Sequence, residues 1–578
     1  MARMRLQALI ALVGMILVGW LLLLQSGGFV YSTVAAQGGV YTEALIGQPG
    51  RFNPLLETGN QVDRDVDRLI FSGLTTWDTA GKPVPDLAAS WFISPDGLTY
   101  TFNLRGDVRW HDGQRFSADD VLFTISLLRD PAYPGPADLG ALWRSVTVTR
   151  ISDLSLSFTL PEPFAPFLDY TAVGILPAHI LPGVSAADLK TTPFNQTPIG
   201  TGPYRFVSLG TNPTATPSAP VAVSEVLLEG NPYYYGHPHL LNQIRFRFYP
   251  DTHTAFQAYL DGQVQGISEI GPKELPAELT NPNLNLFSTR LPKFSLIYLN
   301  LEKDRVPLFQ EKKIRQALLF GLNRQWMVDH LLAGQAFVAT SPIVPGTWAY
   351  NSNLIPVDFD PLHAASVLNE AGWALPAAAA PGTENYVRKK AKEAGAFTLL
   401  TPDDSQHVAI AQTAAEDWAK VGIKVTVEAQ PAATVIDHLV KHDYEAALID
   451  INFSRSPDPD PYPFWHQTQI ENGQNYGNFN HRDISQLLET ARVTTDFDAR
   501  AKLYRSFQAK FADQTPALLL FYPIYTYGVD QRVKNVQIGP MVDPSDRFRG
   551  LAEWYVVTRR VIVTPGAEST AGPAPASP

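Results

Sequence analysis

The sequence predicts an α/β protein of more than one domain, and three observations point there. From about residue 293 onward, short alternating or apolar segments take turns with segments of helical period, the pattern of strands and helices sharing one sheet. The chain has 578 residues and is 45% apolar, too long for a single core and apolar enough for several. The stretch 82–130 reads as strand, turn, strand and capped helix, with turn or cap chemistry at its boundaries.

Taken in order, Arg3 and Arg5 precede an apolar run at 8–24. The run exceeds the ~7–15 residues of a signal-peptide core and just reaches the ~17–25 of a spanning helix. Val34-Ala35-Ala36 offers small residues for cleavage. Residues 1–37 are therefore expected to be a signal peptide or an N-terminal membrane anchor, and either form leaves the rest of the chain outside. Val40 through Leu45 reads as a strand, Phe52-Asn53-Pro54-Leu55 as a turn, and 63–72 as a helix with Val66, Leu69 and Ile70 on one face.

Within 82–130, Ser94-Pro95-Asp96-Gly97 is a turn and Tyr100-Thr101-Phe102-Asn103-Leu104 alternates as a half-buried strand does. Ser117 precedes Asp119, Asp120 and the apolar residues Val121, Leu122, Ile125 and Leu128, a helix start that Pro131 ends. Strands are expected at 146–151, 155–160 and 243–248, and a surface loop at 211–220. Gly200-Thr201-Gly202-Pro203-Tyr204 lacks the lysine of a phosphate loop and the third glycine of a dinucleotide fold, and reads as architecture. Beyond it, 294–300 is a strand, 312–332 one long helix with Gly334 past its end, and Asp360-Pro361 opens another. Strands at 397–400, 423–428 and 444–451 alternate with helices at 407–420 and 432–441. Two helices fill 483–512, and 518–528 is apolar and extended. The tail after Val563 is too poor in large apolar residues to order itself.

The order Asp-Leu-Ala-x-x-Trp at 86–91, Asp-Gly-x-x-Tyr-x-Phe-x-Leu-Arg at 96–105, Trp-His-Asp-Gly at 110–113 and Phe-Ser-Ala-x-Asp-Val at 116–121 resembles the family 5 solute-binding proteins, which serve bacterial ABC importers for oligopeptides, dipeptides and nickel. The resemblance implies a two-lobed, periplasmic-binding-protein-like α/β fold (class II, large peptide-binding type) with an extra subdomain in the first lobe. Lobe I would span 38–290, including the inserted subdomain at about 80–200. Lobe II would span 291–520, the segment 521–563 would return to lobe I, and 564–578 would be a disordered tail. The implied role is capture of a peptide-like or other small solute and delivery to the membrane permease, by a monomer at the outer face of the cytoplasmic membrane. Oligosaccharide or nickel-complex binding, an extracytoplasmic hydrolase, or a sensor on the same scaffold stand as alternatives.

Net charge is −11 with no clustered cations, which excludes a phosphate-backbone partner such as nucleic acid. The chain has no cysteine, hence no disulfide, thiolate metal site or lipid-carrying cysteine. No nucleophile elbow or zinc-protease motif occurs; catalytic groups can converge from distant positions, and it is the resemblance, implying a binding role, that leads us to expect no enzyme. No cofactor or metal is expected either: Asp458 and Asp460 lack the glycine and glutamate that a calcium loop requires. The resemblance places ligand contacts at Asn53, at the aromatic pair Trp348 and Tyr350, and along Asn452, Phe453, Ser454, Arg455, Asp458 and Trp465. Peptide-binding members carry an acid that pairs with the ligand's ammonium, and a loose alignment puts Arg455 there. A cation at that position disfavours an amino terminus and suits a carboxylate or a neutral solute. An ion pair of Arg455 with Asp458 is the other reading.

Overall fold

The computed structural model describes residues 12–20, 30–56, 60–211, 223–303, 305–377, 379–452 and 456–563. Its backbone is a sheet of 12 strands. In spatial order, one half holds Lys424–Gln430, Ala396–Pro402, Ala446–Asn452 and Lys293–Leu299, and the other holds Gly266–Ile267, Val40–Ile46, Gln243–Tyr249, Val223–Gly230 and Tyr204–Thr211. The long strand Ala517–Asp530 lies between them, with Leu284–Arg290 and Ala336–Val338 also paired to it.

That long strand carries the chain from one half to the other. Its first residues pair with Lys293–Leu299, and Ile524 through Asp530 pair with Leu284–Arg290. Pro523, which has no N–H to give, falls at the change of partner. The neighbouring crossing is the short link Leu291-Pro292 between Leu284–Arg290 and Lys293–Leu299. The hydrophobic cores follow the same division. One gathers Tyr41 through Phe248 with Tyr525 through Trp554, while two others, on opposite faces of the second half, gather residues between Phe294 and Tyr522. The segment expected to be extended at 518–528 lies within the strand Ala517–Asp530.

The stretch singled out at 82–130 forms its own sheet of Ala88–Ile93, Thr99–Leu104, Ser155–Thr159 and Thr147–Ser152. Ser117 and Asp120 make a capping box at the start of the helix Ala118–Arg129. His111 binds this insertion to the first half. Its Nδ1 accepts the N–H of Gly200 (3.1 Å) and its Nε2–H donates to the carbonyl of Gly202 (3.1 Å), so the ring is neutral with the proton on Nε2. Burial lowers its pKa to about 4.

A buried charge cluster fastens the return segment. Arg547, fully buried, donates to Glu43 Oε1 (2.7 Å) and to Asp65 Oδ2 (2.7 Å), and Tyr41 and Tyr527 donate to the other oxygen of Glu43 (2.6 and 2.7 Å). Burial raises the Glu43 carboxyl while Arg547 opposes the rise. Residues from the two ends of the folded chain, Tyr41, Glu43 and Asp65 with Tyr527 and Arg547, therefore meet in one satisfied network.

Two elements differ from the sequence reading. The single helix expected at 312–332 is two, Lys312–Phe320 and Arg324–Leu331. Gly321 ends the first, the Asn323 side chain caps the second, and the Asn323 N–H is taken by Asp417 (2.8 Å). Cap chemistry outweighed a continuous apolar stripe. The folded part also begins before residue 38: Val30–Ala36 pairs antiparallel with Val557–Val563 in a separate ribbon. Residues 12–20 are helical, and among the described residues no helix is long and apolar enough to cross a membrane. The loop expected at 211–220, apart from Thr211, and the tail 564–578 lie outside the described residues.

Candidate functional site

In an open α/β sheet, ligands settle beyond the carboxyl ends of parallel strands. Both halves have such ends, in Val40–Ile46 beside Gln243–Tyr249, and in Ala396–Pro402 beside Lys424–Gln430 and Ala446–Asn452. A cavity of about 340 Å3 lies where the halves meet. The first half contributes the loop Asp78-Thr79-Ala80-Gly81 with Pro540, Met541, Val542 and Arg549; the second contributes Phe337, Val344, Pro345, Gly346, Thr347 and Pro457. Its floor is the crossing itself, Ser288 to Pro292 and Ile524. At its edge Gly81 has φ +78°, and a Cβ there would stand 2.9 Å from Pro457. The two halves approach too closely here for a larger residue.

Beside the cavity, a strap from Ser456 to Asp460 joins the halves. The carboxylate of Asp169, on the inserted part, accepts the Ser456 hydroxyl (2.5 Å) and the Asp458 N–H (3.0 Å) on one oxygen, and the Trp77 indole N–H (3.3 Å) on the other. Asp458 in turn accepts from Tyr504 (3.1 Å) and pairs with buried Arg500 (3.0 Å). Burial raises both the Asp169 and Asp458 carboxyls, against the pull of Arg500 and the hydrogen bonds. Further along the rim, the Ala165 N–H donates to the Arg492 carbonyl (2.7 Å) while the Arg492 guanidinium covers Phe164 and pairs with Asp460 (2.7 Å).

At the strand ends of the second half, Asp450 is held by Lys293 (2.8 Å), by the Ser295 hydroxyl and, more distantly, by His407 (3.7 Å). Burial would raise this carboxyl, but His407 and Lys293 overcome it and hold it well below the usual range. His407, also bound to Asp404 (2.7 Å), is raised despite its burial by the two carboxylates. This polar network is fully paired and orients the crossing at Lys293.

The residues expected at the site are scattered by the structure. Asn53 is buried, donating to Asn195 (3.0 Å) and accepting the Leu55 N–H (3.1 Å), which fixes a turn. Trp465 is fully buried against Tyr298 and Phe511 (ring centroids 5.6 and 4.6 Å apart), so it packs a core rather than walling a cleft. Trp348 packs edge-on against Phe497 (5.0 Å) beneath Arg500, and Tyr350 shares a hydrogen bond with Thr340 (3.0 Å). Asn452 is exposed at the end of its strand, opposite Lys293. Phe453, Ser454 and Arg455 lie outside the described residues. Asp458 is buried in the strap, and the carboxylate that Arg455 was to pair with is held by Arg500. Sequence reasoning missed Arg290, Phe337 and Arg549 of the cavity. Arg290 simply ends an alternating strand before Leu291-Pro292, and no local signal marks it.

A sheet folded as two α/β halves, crossed twice and enclosing a cavity where they meet, defines a two-lobed binding protein. The model of the bacterial extracellular solute-binding proteins, family 5 Middle, matches residues 82–473, and the chain belongs to that family. It is 28% identical over 530 residues to the oligopeptide-binding protein AppA of Bacillus subtilis, covering 90% of this chain and 92% of that one. It is 25% identical over 550 residues to the dipeptide-binding protein of Escherichia coli, covering 89% and 95%. Among solved structures, AppA from Bacillus subtilis in complex with a nonapeptide matches with TM-score 0.68 at 26% identity, over 91% of this chain and 100% of that one. NikZ from Campylobacter jejuni in complex with Ni(L-His) matches with TM-score 0.69 at 25% identity, over 89% and 99%. These relatives are binding proteins rather than enzymes, and the family is extracellular.

Proposed function

We propose that this protein is the solute-receiving component of an ABC importer, taking a peptide-like or other small solute between its lobes and passing it to the membrane permease. The observation that carries the reading is a cavity whose floor is the double crossing and whose walls come from both halves. A solute there touches both lobes only when they are closed, so binding shifts a hinge equilibrium. The relatives named for oligopeptides and dipeptides support a peptide-like ligand. Lobe I is assigned to 38–290 with its insertion, lobe II to 291–520 and the return to 521–563, in line with the division of the cores. The protein acts without catalysis and as a monomer.

Native mass spectrometry of purified protein, followed by unfolding, washing and refolding, tests the reading. The expected result is a co-purified solute that rebinds the refolded protein and lowers its radius of gyration in scattering. A solute returned chemically changed would instead support a hydrolase.

The N-terminal run serves as an anchor in this reading. Cleavage after Ala36 would discard Val30–Ala36, and with it the whole partner of Val557–Val563. An unpaired strand of that length is an exposed edge. N-terminal sequencing of protein from native membranes is expected to find a start before Val30, and a start at Gln37 overturns the anchored form.

A further inference from the structure

Family membership leaves the ligand's chemistry open. We propose that Arg290 is an anion anchor that selects a small solute with an apolar body and one carboxylate. This rests on the reading that the solute occupies the cavity between the lobes.

Arg290 is the last residue of Leu284–Arg290, which pairs along its whole length with the crossing strand and ends opposite Ile524. Its backbone is therefore fixed at the cavity floor. Its guanidinium lies 4.4 Å from the centroid of the Phe337 ring, itself on a strand paired to the crossing. Stacking on an aromatic face fixes the plane of a guanidinium and leaves the N–H groups at its edge directed outward.

Among the described residues those N–H groups have no protein acceptor. Among the described residues Arg290 forms no ion pair and its side chain donates no hydrogen bond. The other two charges lining the cavity are already engaged. Asp78 accepts the N–H groups of Ala80 and Lys82 within its own loop (2.8 and 2.9 Å). Arg549 pairs with Asp546 (3.2 Å) and donates to the carbonyl of Asp78 (3.3 Å). Lys293, just past the crossing, is held by Asp450. Among the described residues Arg290 is the cation on the cavity wall with no ion pair, whereas Arg549 keeps only its Nε–H unpaired, and the planar fork of Arg290 matches a carboxylate.

The remaining wall is apolar, with Leu291, Val344, Met541, Val542 and Ile524. A volume of about 340 Å3 is at the low end of the ~300–1,000 Å3 of small-molecule pockets. That suits a solute of roughly two or three residues' length, not an extended oligopeptide. Arg290 is exposed and Phe337 is 45% exposed, so both are open to an entering solute.

The test is calorimetry with a panel of apolar di- and tripeptides, each as the free acid and as the C-terminal amide, against wild type, Arg290→Gln, Arg290→Lys and Phe337→Leu. Thermal melts check that each variant is folded, and the pairing of Arg290 through its main chain leaves the strand intact in all of them. In the wild type the acids are expected to bind about ten- to a hundredfold more tightly than the amides, the worth of a charged hydrogen bond. That ratio should fall to about one in Arg290→Gln, recover in part in Arg290→Lys, and drop less in Phe337→Leu. Acids and amides binding equally well, or a preference that survives Arg290→Gln, overturns the anion anchor while the solute-binding reading stands. If no member of the panel binds and scattering shows no compaction, the peptide-class reading fails and the anchor fails with it.

Discussion

His111 joins two stretches that the sequence presents as separate motifs. It belongs to Trp-His-Asp-Gly, and both of its nitrogens are used by Gly200 and Gly202 of Gly-Thr-Gly-Pro-Tyr. Its pKa is lowered from 6.5 to about 4, chiefly by burial. A histidine lowered in the folded state contributes stability that is present above its unfolded pKa and lost as pH falls through the folded one, because the unfolded chain takes up the proton first. Between pH 6.5 and about 4 this amounts to about 3 kcal/mol. Urea unfolding across that window is expected to show a steep acid loss in the wild type. His111→Phe should be less stable at neutral pH, with the Gly200 N–H orphaned while the Gly202 carbonyl keeps the Asn231 side chain, and flatter in its pH dependence. An unchanged slope would mean that other groups govern acid unfolding.

At the scale of elements, a capping side chain outweighs a continuous apolar stripe between Lys312 and Leu331. The break between Lys312–Phe320 and Arg324–Leu331 is the case in point. Asn323 accepts the Trp326 N–H (3.1 Å) while its own N–H goes to Asp417 (2.8 Å). Asn323→Ala is expected to lower stability by about 1 kcal/mol, the typical worth of an N-cap, read as a shift of the denaturant midpoint at constant slope. No shift would assign the break to Gly321 and the Asp417 contact alone. The ribbon of Val30–Ala36 and Val557–Val563 makes a related point. Its strands are more than 500 residues apart, so neither local alternation nor turn chemistry announces the pairing.

Across the whole molecule, polar contacts as well as apolar ones join the two halves. Asp169 reaches from the insertion to the strap and accepts both the Ser456 hydroxyl and the Asp458 N–H. The Asp458 N–H is buried and the Ser456 hydroxyl partly so, and each has only a longer second contact with the other residue (3.1 and 3.3 Å), so removing their shared acceptor costs about 1–3 kcal/mol where the halves meet, whereas water would meet the donors if the halves parted. Asp169→Ala is expected to shift the hinge toward open by roughly tenfold or more. Small-angle scattering of ligand-free protein should then show a larger radius of gyration, and calorimetry weaker solute binding. Equal radii and equal affinities would make the strap a fixed joint between the lobes rather than a latch.

The sequence by itself determined what short-range chemistry controls. Alternation located the strands near Val40–Ile46, Thr99–Leu104 and Ala396–Pro402, and Ser117 with Asp120 marked the start of Ala118–Arg129. The signature from Asp86 to Val121 named the family, and the apolar stretch at 518–528 located the strand Ala517–Asp530. Each of these rests on residues within a few positions of one another, where propensity, caps and turns act. Only the tertiary structure decided the rest. It buried Trp465 in a core, gave Asp458 to Arg500, and brought Arg290, Phe337 and Arg549 to one cavity. Those arrangements arise from packing between segments tens to hundreds of residues apart, and whether a tryptophan faces a core or a cleft depends on what covers it, which its neighbours in the chain do not specify.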